Sequence, residues 1–307
     1  MEQRIQRAER VRGNITVPGD KSISHRAGML AAIAAGTTRI SNFSASKDCG
    51  STLECLTTLG VGIASSGSEV IITGRPDGFQ SPAAELDCGN SGTTIRLMAG
   101  LLAGLGVEAT LTGDESLRSR PMGRIIGPLE KMGALIESSE GKAPVHLVGG
   151  RKLVGIEYEL PVASAQVKSC VLLAGLNAAG STSVIERTPT RDHTERMLRG
   201  FGVEVDVSAF GSGRKISVHG GSRLKATDLT VPGDVSSAAF FLVAAAILPD
   251  SDVTIRDVGL NPTRSAILDV LRAYGVGLEI ANERISGGEP IGDVRVRSLV
   301  LPKRPAG

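Results

Sequence analysis

Residues 17–26 read Val-Pro-Gly-Asp-Lys-Ser-Ile-Ser-His-Arg, and the tetrapeptide Val-Pro-Gly-Asp returns at 231–234. Each copy opens a run of small apolar residues with no breaker, Lys21 to Ala35 and Val235 to Leu248. An aspartate ahead of such a run is an N-cap signal, so both read as helix starts. The first N–H groups of a helix lack intrahelical acceptors, and the helix dipole puts partial positive charge at the same end. With Lys21 and Arg26 added, the first start is suited to a phosphate or a carboxylate. The bland reading of the same ten residues is a capped surface helix with solvated Lys21 and Arg26.

Two further helices open in a similar way, at Gly89–Thr94 and Ala163–Ser169. Every opening is followed by a β-like run: 37–41, 107–112, 182–186 and 253–257. A second helix then ends at Gly60, Gly133, Gly202 or Gly275, which lie 73, 69 and 73 residues apart. Glycine past the last periodic residue is a C-cap, and the β-branched residues after it begin a strand. The chain is therefore four copies of a unit of about 70 residues. The order within each is strand, helix, strand, helix, strand, strand, an α/β arrangement with right-handed parallel crossovers. The runs 27–35 and 238–248 are apolar nearly all round, so these helices are expected inside sheets.

The 307 residues suit two domains, and 41% hydrophobic content supplies ample core. A net charge of +2 with 3% aromatics argues against nucleic acid as a partner. The longest apolar run is too short to span a bilayer, and Met1 to Arg12 is charged, unlike a signal peptide. Neither membrane nor export is expected, and the cytoplasm is the expected location. Cys49, Cys55, Cys88 and Cys170 form no CxxC pair, and His25, His146, His193 and His219 show no ligand spacing. No metal and no cofactor are expected. Asp48 and Asp114 read as turn residues, and Arg96, one turn into its helix, as a locally paired side chain.

Five strings in order then carry a resemblance: Asp20–Arg26, Gly89–Arg96, Ser119–Arg124, Ser164–Ser169 and Asn261–Arg264. They are similar to the signatures of the 5-enolpyruvylshikimate-3-phosphate (EPSP) synthase family, 3-phosphoshikimate 1-carboxyvinyltransferases, and in particular to its glyphosate-tolerant class II branch. The second string carries Ser91 where the family usually has alanine. The resemblance runs from Val17 to about Pro302. It implies an inside-out α/β barrel built from repeated βαβαββ units, with one complete domain and part of a second. Residues 19–231 would form the complete three-unit domain, and 1–18 with 232–307 the partial one. The two Val-Pro-Gly-Asp segments would be the crossings between them.

Carried over residue by residue, the resemblance makes Lys21, Ser22, Arg26, Ser164, Ala165, Gln166 and Arg191 the binders of shikimate 3-phosphate. Lys21, Gly92, Arg120 and Gln166 would face phosphoenolpyruvate, with glyphosate as an inhibitor at the same place. Arg120 could instead be a solvated loop arginine, and Arg191 could pair with Asp192 or Glu195 on a helix face. The implied activity is carboxyvinyl transfer to the 5-hydroxyl of shikimate 3-phosphate in aromatic amino-acid biosynthesis. The family's acid and base groups are expected beyond Gly307, so the catalytic residues are unknown. An inactive phosphate-binding fragment, or half of a split enzyme completed by a C-terminal polypeptide, is one alternative. The UDP-N-acetylglucosamine enolpyruvyl transferase is another, opposed by Ser22 in place of asparagine and by the absence of cysteine from 117–124. RNA 3′-phosphate cyclase is opposed by the missing basic patch. The helix at 235–248 is expected to expose an apolar patch.

Overall fold

The computed structural model describes residues 7–298. The ends of two readings, the charged stretch before Arg7 and the resemblance past Ser298, lie outside the described residues. The chain begins with β1 (Arg12–Thr16), α1 (Lys21–Ile33), β2 (Thr37–Ser41), α2 (Lys47–Thr58), β3 (Gly62–Ser66) and β4 (Glu69–Thr73). It continues through β5 (Leu86–Asp87), α3 (Gly92–Leu105), β6 (Ala109–Thr112), α4 (Glu115–Arg118), α5 (Gly123–Lys131), β7 (Ile136–Ser139) and β8 (Lys142–Leu147). Then come β9 (Glu157–Glu159), α6 (Ala165–Gly175), β10 (Ser181–Glu186), α7 (His193–Gly200), β11 (Asp206–Phe210) and β12 (Gly213–His219). The last stretch holds β13 (Leu229–Thr230), α8 (Val235–Ile247), β14 (Asp252–Gly259), α9 (Ala266–Ala273), β15 (Gly277–Ser286) and β16 (Glu289–Arg297).

The repeat is visible in the strand orders: β13-β2-β4-β3, β5-β6-β8-β7, β9-β10-β12-β11 and β1-β14-β16-β15. The first two strands of each sheet are parallel and the other pairings antiparallel. Gly60, Gly133, Gly202 and Gly275 all have positive φ, which explains why each unit places glycine there.

In two sheets the leading strand is exchanged. β1 runs into α1 yet pairs with β14, and β13 runs into α8 yet pairs with β2. The two connections cross at the Val-Pro-Gly-Asp segments. Asp20 N–H donates to the Pro232 carbonyl at 2.8 Å, and Asp234 N–H donates to that of Pro18 at 2.9 Å. A Cβ on Gly19 would lie 1.9 Å from the Asn42 carbonyl oxygen, so only glycine lets the backbones meet.

The buried apolar residues form two clusters. One extends from Ile23 to Val231; the other joins Val17 to residues between Val235 and Val296. The expectation of helices inside sheets holds for α1, buried from Ile23 to Ile33, and for α3 and α6. α3 and α6 pack backbone to backbone, since a Cβ on Gly100 would come within 2.2 Å of the Cys170 carbonyl. α8 departs from that expectation. It buries Ala238, Leu242, Ala245 and Ala246, whereas Phe240 and Ile247 are 79% and 69% exposed. The apolar patch expected on this helix is therefore present. Among the described residues no helix is long and apolar enough to cross a membrane.

Candidate active site

Asp20 caps α1, accepting from Ile23 N–H at 3.0 Å. Lys21 and Ser22 thereby stand on the first turn. Lys21 Nζ reaches the Asp48 carboxylate at 2.8 Å and stays half-exposed. Asp48 is not in a turn, as the sequence suggested; it lies in the first turn of α2 and orients this lysine. Arg26, one turn further in, is buried. Its guanidinium donates to Thr194 Oγ1 (2.7 Å), the Ser22 carbonyl (2.8 Å) and Ser169 Oγ (2.8 Å). A guanidinium has about five N–H groups, so part of its donor capacity remains for a ligand. Ser22 is half-buried and shares its backbone with this bond.

Beneath Lys21 runs a buried polar chain. His25 Nδ1 lies 2.7 Å from Thr52 Oγ1, which lies 2.7 Å from Thr94 Oγ1, itself 2.7 Å from Ser91 Oγ. These side chains tie together the starts of α1, α2 and α3. Burial, with Arg26 adding repulsion, pushes the His25 pKa down to about 3, so the ring is neutral.

Ser91 caps α3, accepting from Thr94 N–H at 3.1 Å. The next residue, Gly92, faces two guanidinium groups: a Cβ there would lie 2.7 Å from Arg96 Nη1 and 3.2 Å from Arg120 Nη1. Arg120 is held by the Asn90 side-chain oxygen and by Ser116 Oγ at 3.3 Å. These two bonds hold a partly exposed side chain beside Gly92. Arg96 was read from the sequence as locally paired and left out of the site. It bonds locally to the Gly92 carbonyl at 3.2 Å, but its second partner is Gln166 Oε1 at 3.0 Å, seventy residues away and invisible to any local pattern. Burial and the neighbouring charges of Arg120 and Arg124 hold the Arg96 pKa below its usual value. Asp114, read as a turn residue, caps α4 and accepts from Asn90 Nδ2 at 2.7 Å.

Ser164 caps α6, accepting from Val167 N–H at 3.3 Å, which leaves its hydroxyl proton free. Gln166 Nε2 donates to Thr93 Oγ1 at 3.0 Å, so this side chain joins the starts of α3 and α6. Ser164, Ala165, Gln166 and Arg191 line one open cavity of about 560 Å³, together with Pro189, Thr190 and Thr263. Arg191 makes neither of the ion pairs considered for it. Asp192 pairs with Arg196 at 2.9 Å, and Glu195 with buried Lys168 at 2.7 Å. Burial and, secondarily, Arg264 lower the Arg191 pKa, against the opposing pull of Asp20 and Asp234. Thr263, the second residue that sequence reasoning missed, was part of a recognised string but carried no signal for its side chain.

The starts of α1, α3 and α6, the Ser164 hydroxyl, the Arg191 guanidinium and a cationic pair around a glycine form a surface suited to multiply anionic ligands. Comparison with known proteins gives it a lineage. The EPSP synthase (3-phosphoshikimate 1-carboxyvinyltransferase) family matches residues 5–303. The chain belongs to that family. Relatives called 3-phosphoshikimate 1-carboxyvinyltransferase include one from Ruthia magnifica, 52% identical over 94% of this chain and 66% of its own length. Another, from Geobacillus kaustophilus, is 53% identical over 95% of this chain and 68% of its own. The solved EPSP synthase of Acinetobacter baumannii superposes with a TM-score of 0.89 at 49% identity, over 94% of this chain and 65% of that one. The chain thus spans about two thirds of the length of the EPSP synthases it matches.

Proposed function

We propose that this chain provides the shikimate 3-phosphate site and part of the phosphoenolpyruvate site of a carboxyvinyl transferase. The observation that carries the reading is the cavity in which Ser164, Ala165, Gln166 and Arg191 meet. Its helix start, the Ser164 hydroxyl and the Arg191 guanidinium are the donors a phosphate monoester needs. Lys21, Ser22 and Arg26 lie on the neighbouring helix start, suited to the carboxylate and ring hydroxyls. Arg120, Arg96 and the open side of Gly92 would take phosphoenolpyruvate, and glyphosate as its competitor.

In the proposed reaction the 5-hydroxyl of shikimate 3-phosphate attacks C2 of phosphoenolpyruvate while C3 takes a proton. Loss of phosphate from C2 and of a proton from C3 then restores the double bond. Two polyanions must be held side by side, so the residues of this chain act by binding and orienting. Asp48, Asp114 and Asp192 are each engaged by Lys21, Asn90 or Arg196, which supports placing the acid and base elsewhere. We assign residues 19–231 to one domain and 1–18 with 232–307 to another, in keeping with the two buried clusters. The cytoplasm is the proposed location. Where the chain stands alone, a polypeptide covering the remaining length of the relatives would be its partner, with Phe240 and Ile247 of α8 available for contact.

Titration calorimetry with shikimate 3-phosphate and with unphosphorylated shikimate tests the reading. Loss of the phosphate should weaken binding at least about tenfold, since each charge-assisted bond is worth roughly 1.5–3 kcal/mol. Equal affinities would overturn it.

A further inference from the structure

The segment 261–264 leaves the second apolar cluster and enters the wall of the Ser164–Arg191 cavity. Asn261 is 2% exposed. Its Nδ2 donates to Asp192 Oδ1 at 2.8 Å and to Glu289 Oε2 at 3.0 Å, and Glu289 also lies 2.8 Å from His193 Nδ1. With both amide protons directed at carboxylates, the orientation of the amide is fixed. Asn261 Oδ1 therefore faces Thr263, accepting from its backbone N–H at 2.9 Å and from its hydroxyl at 2.8 Å. The only other protein neighbour of that hydroxyl among the described residues is Asp192 Oδ1 at 3.3 Å, again an acceptor.

A threonine hydroxyl has one proton and two lone pairs. Here the proton is drawn to Asn261 or Asp192, and the lone pairs remain for the cavity. Thr263 is consequently an acceptor in a wall where Ser164 and Arg191 are donors. The phosphate group of a monoester dianion has no proton to give it, whereas a hydroxyl on the carbon skeleton of the ligand does.

We propose that Thr263 Oγ1 accepts a hydrogen bond from a carbon-bound hydroxyl of the ligand whose phosphate lies against Ser164–Gln166 and Arg191. The inference rests on the phosphate-ester reading above and adds a source of selectivity to it. Such a cavity distinguishes a hydroxylated phosphate ester from one without a hydroxyl, because a site built around a ligand hydroxyl loses affinity when that bond is broken.

The test is calorimetric titration of shikimate 3-phosphate, and phosphorus NMR titration of methyl phosphate, an ester without any hydroxyl, on the parent chain, Thr263→Val and Thr263→Ser. Valine keeps the shape and removes the acceptor. It should weaken shikimate 3-phosphate about tenfold and leave methyl phosphate within about twofold, with serine restoring the parent affinity. Unchanged shikimate 3-phosphate affinity in Thr263→Val overturns the proposal while leaving the phosphate-ester reading intact. Equal weakening of both ligands also overturns it, since the contact would then be to the phosphate. A parent chain that binds methyl phosphate but not shikimate 3-phosphate overturns both readings.

Discussion

Asp20 and Asp234, the caps of α1 and α8, share one cation: Arg264 Nη2 lies 3.5 Å from the first carboxylate and 3.3 Å from the second. The two residues also exchange backbone bonds across the crossing connections, through Pro232 and Pro18. Chain crossing and charge pairing therefore coincide where the two apolar clusters meet. Arg264→Met would leave two poorly solvated carboxylates facing each other. We expect it to lower stability by about 1–3 kcal/mol. Urea unfolding should detect the loss, and hydrogen exchange should place it at the starts of α1 and α8; an unchanged midpoint would show that the aspartates do not depend on Arg264.

Lys21 and Arg26 should separate binding from stability. Lys21 is half-exposed with one surface partner, a pairing worth about 0–1 kcal/mol. Lys21→Met is thus expected to leave the melting temperature nearly unchanged while weakening shikimate 3-phosphate by about tenfold or more. Arg26 is buried and bonded to Thr194 and Ser169 on two other elements. Arg26→Ala should lower both affinity and melting temperature. Calorimetry and thermal unfolding on the same samples check the contrast, and equal effects of the two variants would refute it.

His25 should make the protein acid-sensitive. Its folded-state pKa, pushed down to about 3 by burial and by Arg26, lies below the value near 6.5 of an unfolded chain. The unfolded state therefore binds the extra proton between those limits, and stability falls as the pH drops through them. The contribution is fully present above about pH 6.5, and its limiting slope is about 1.4 kcal/mol per pH unit. Urea unfolding between pH 5 and 7 should show this slope in the parent and a weaker one in His25→Asn. The same slope in both would assign the acid sensitivity to other groups.

The four-unit repeat was legible because its marks are local: an N-cap at Asp20, Ser91, Ser164 and Asp234, and a left-handed glycine at Gly60, Gly133, Gly202 and Gly275. Secondary structure followed, as at 37–41, where expected and observed strands coincide. α8 was legible only in part, since an all-apolar sequence does not say which faces find partners. What joins the units was not legible. The Arg96–Gln166 and Asn261–Asp192 bonds link distant segments, and neither pair has a spacing or periodicity to announce it. Arg191 and Asp192 show the limit most plainly. As neighbours in sequence they left an ion pair open beside the binding role given to Arg191, and only the fold sends Arg191 to the cavity and leaves Asp192 to Arg196 and Asn261.

The central claim is that the start of α6 and Arg191 hold the phosphate of a phosphorylated ring. A crystal structure of this chain with shikimate 3-phosphate tests it most directly. The account predicts the phosphorus between Ser164–Gln166 and the Arg191 guanidinium, with the ring carboxylate toward Lys21, Ser22 and Arg26. A phosphate bound beside Gly92 and Arg120 instead, with the Ser164–Arg191 cavity left to water, would contradict it.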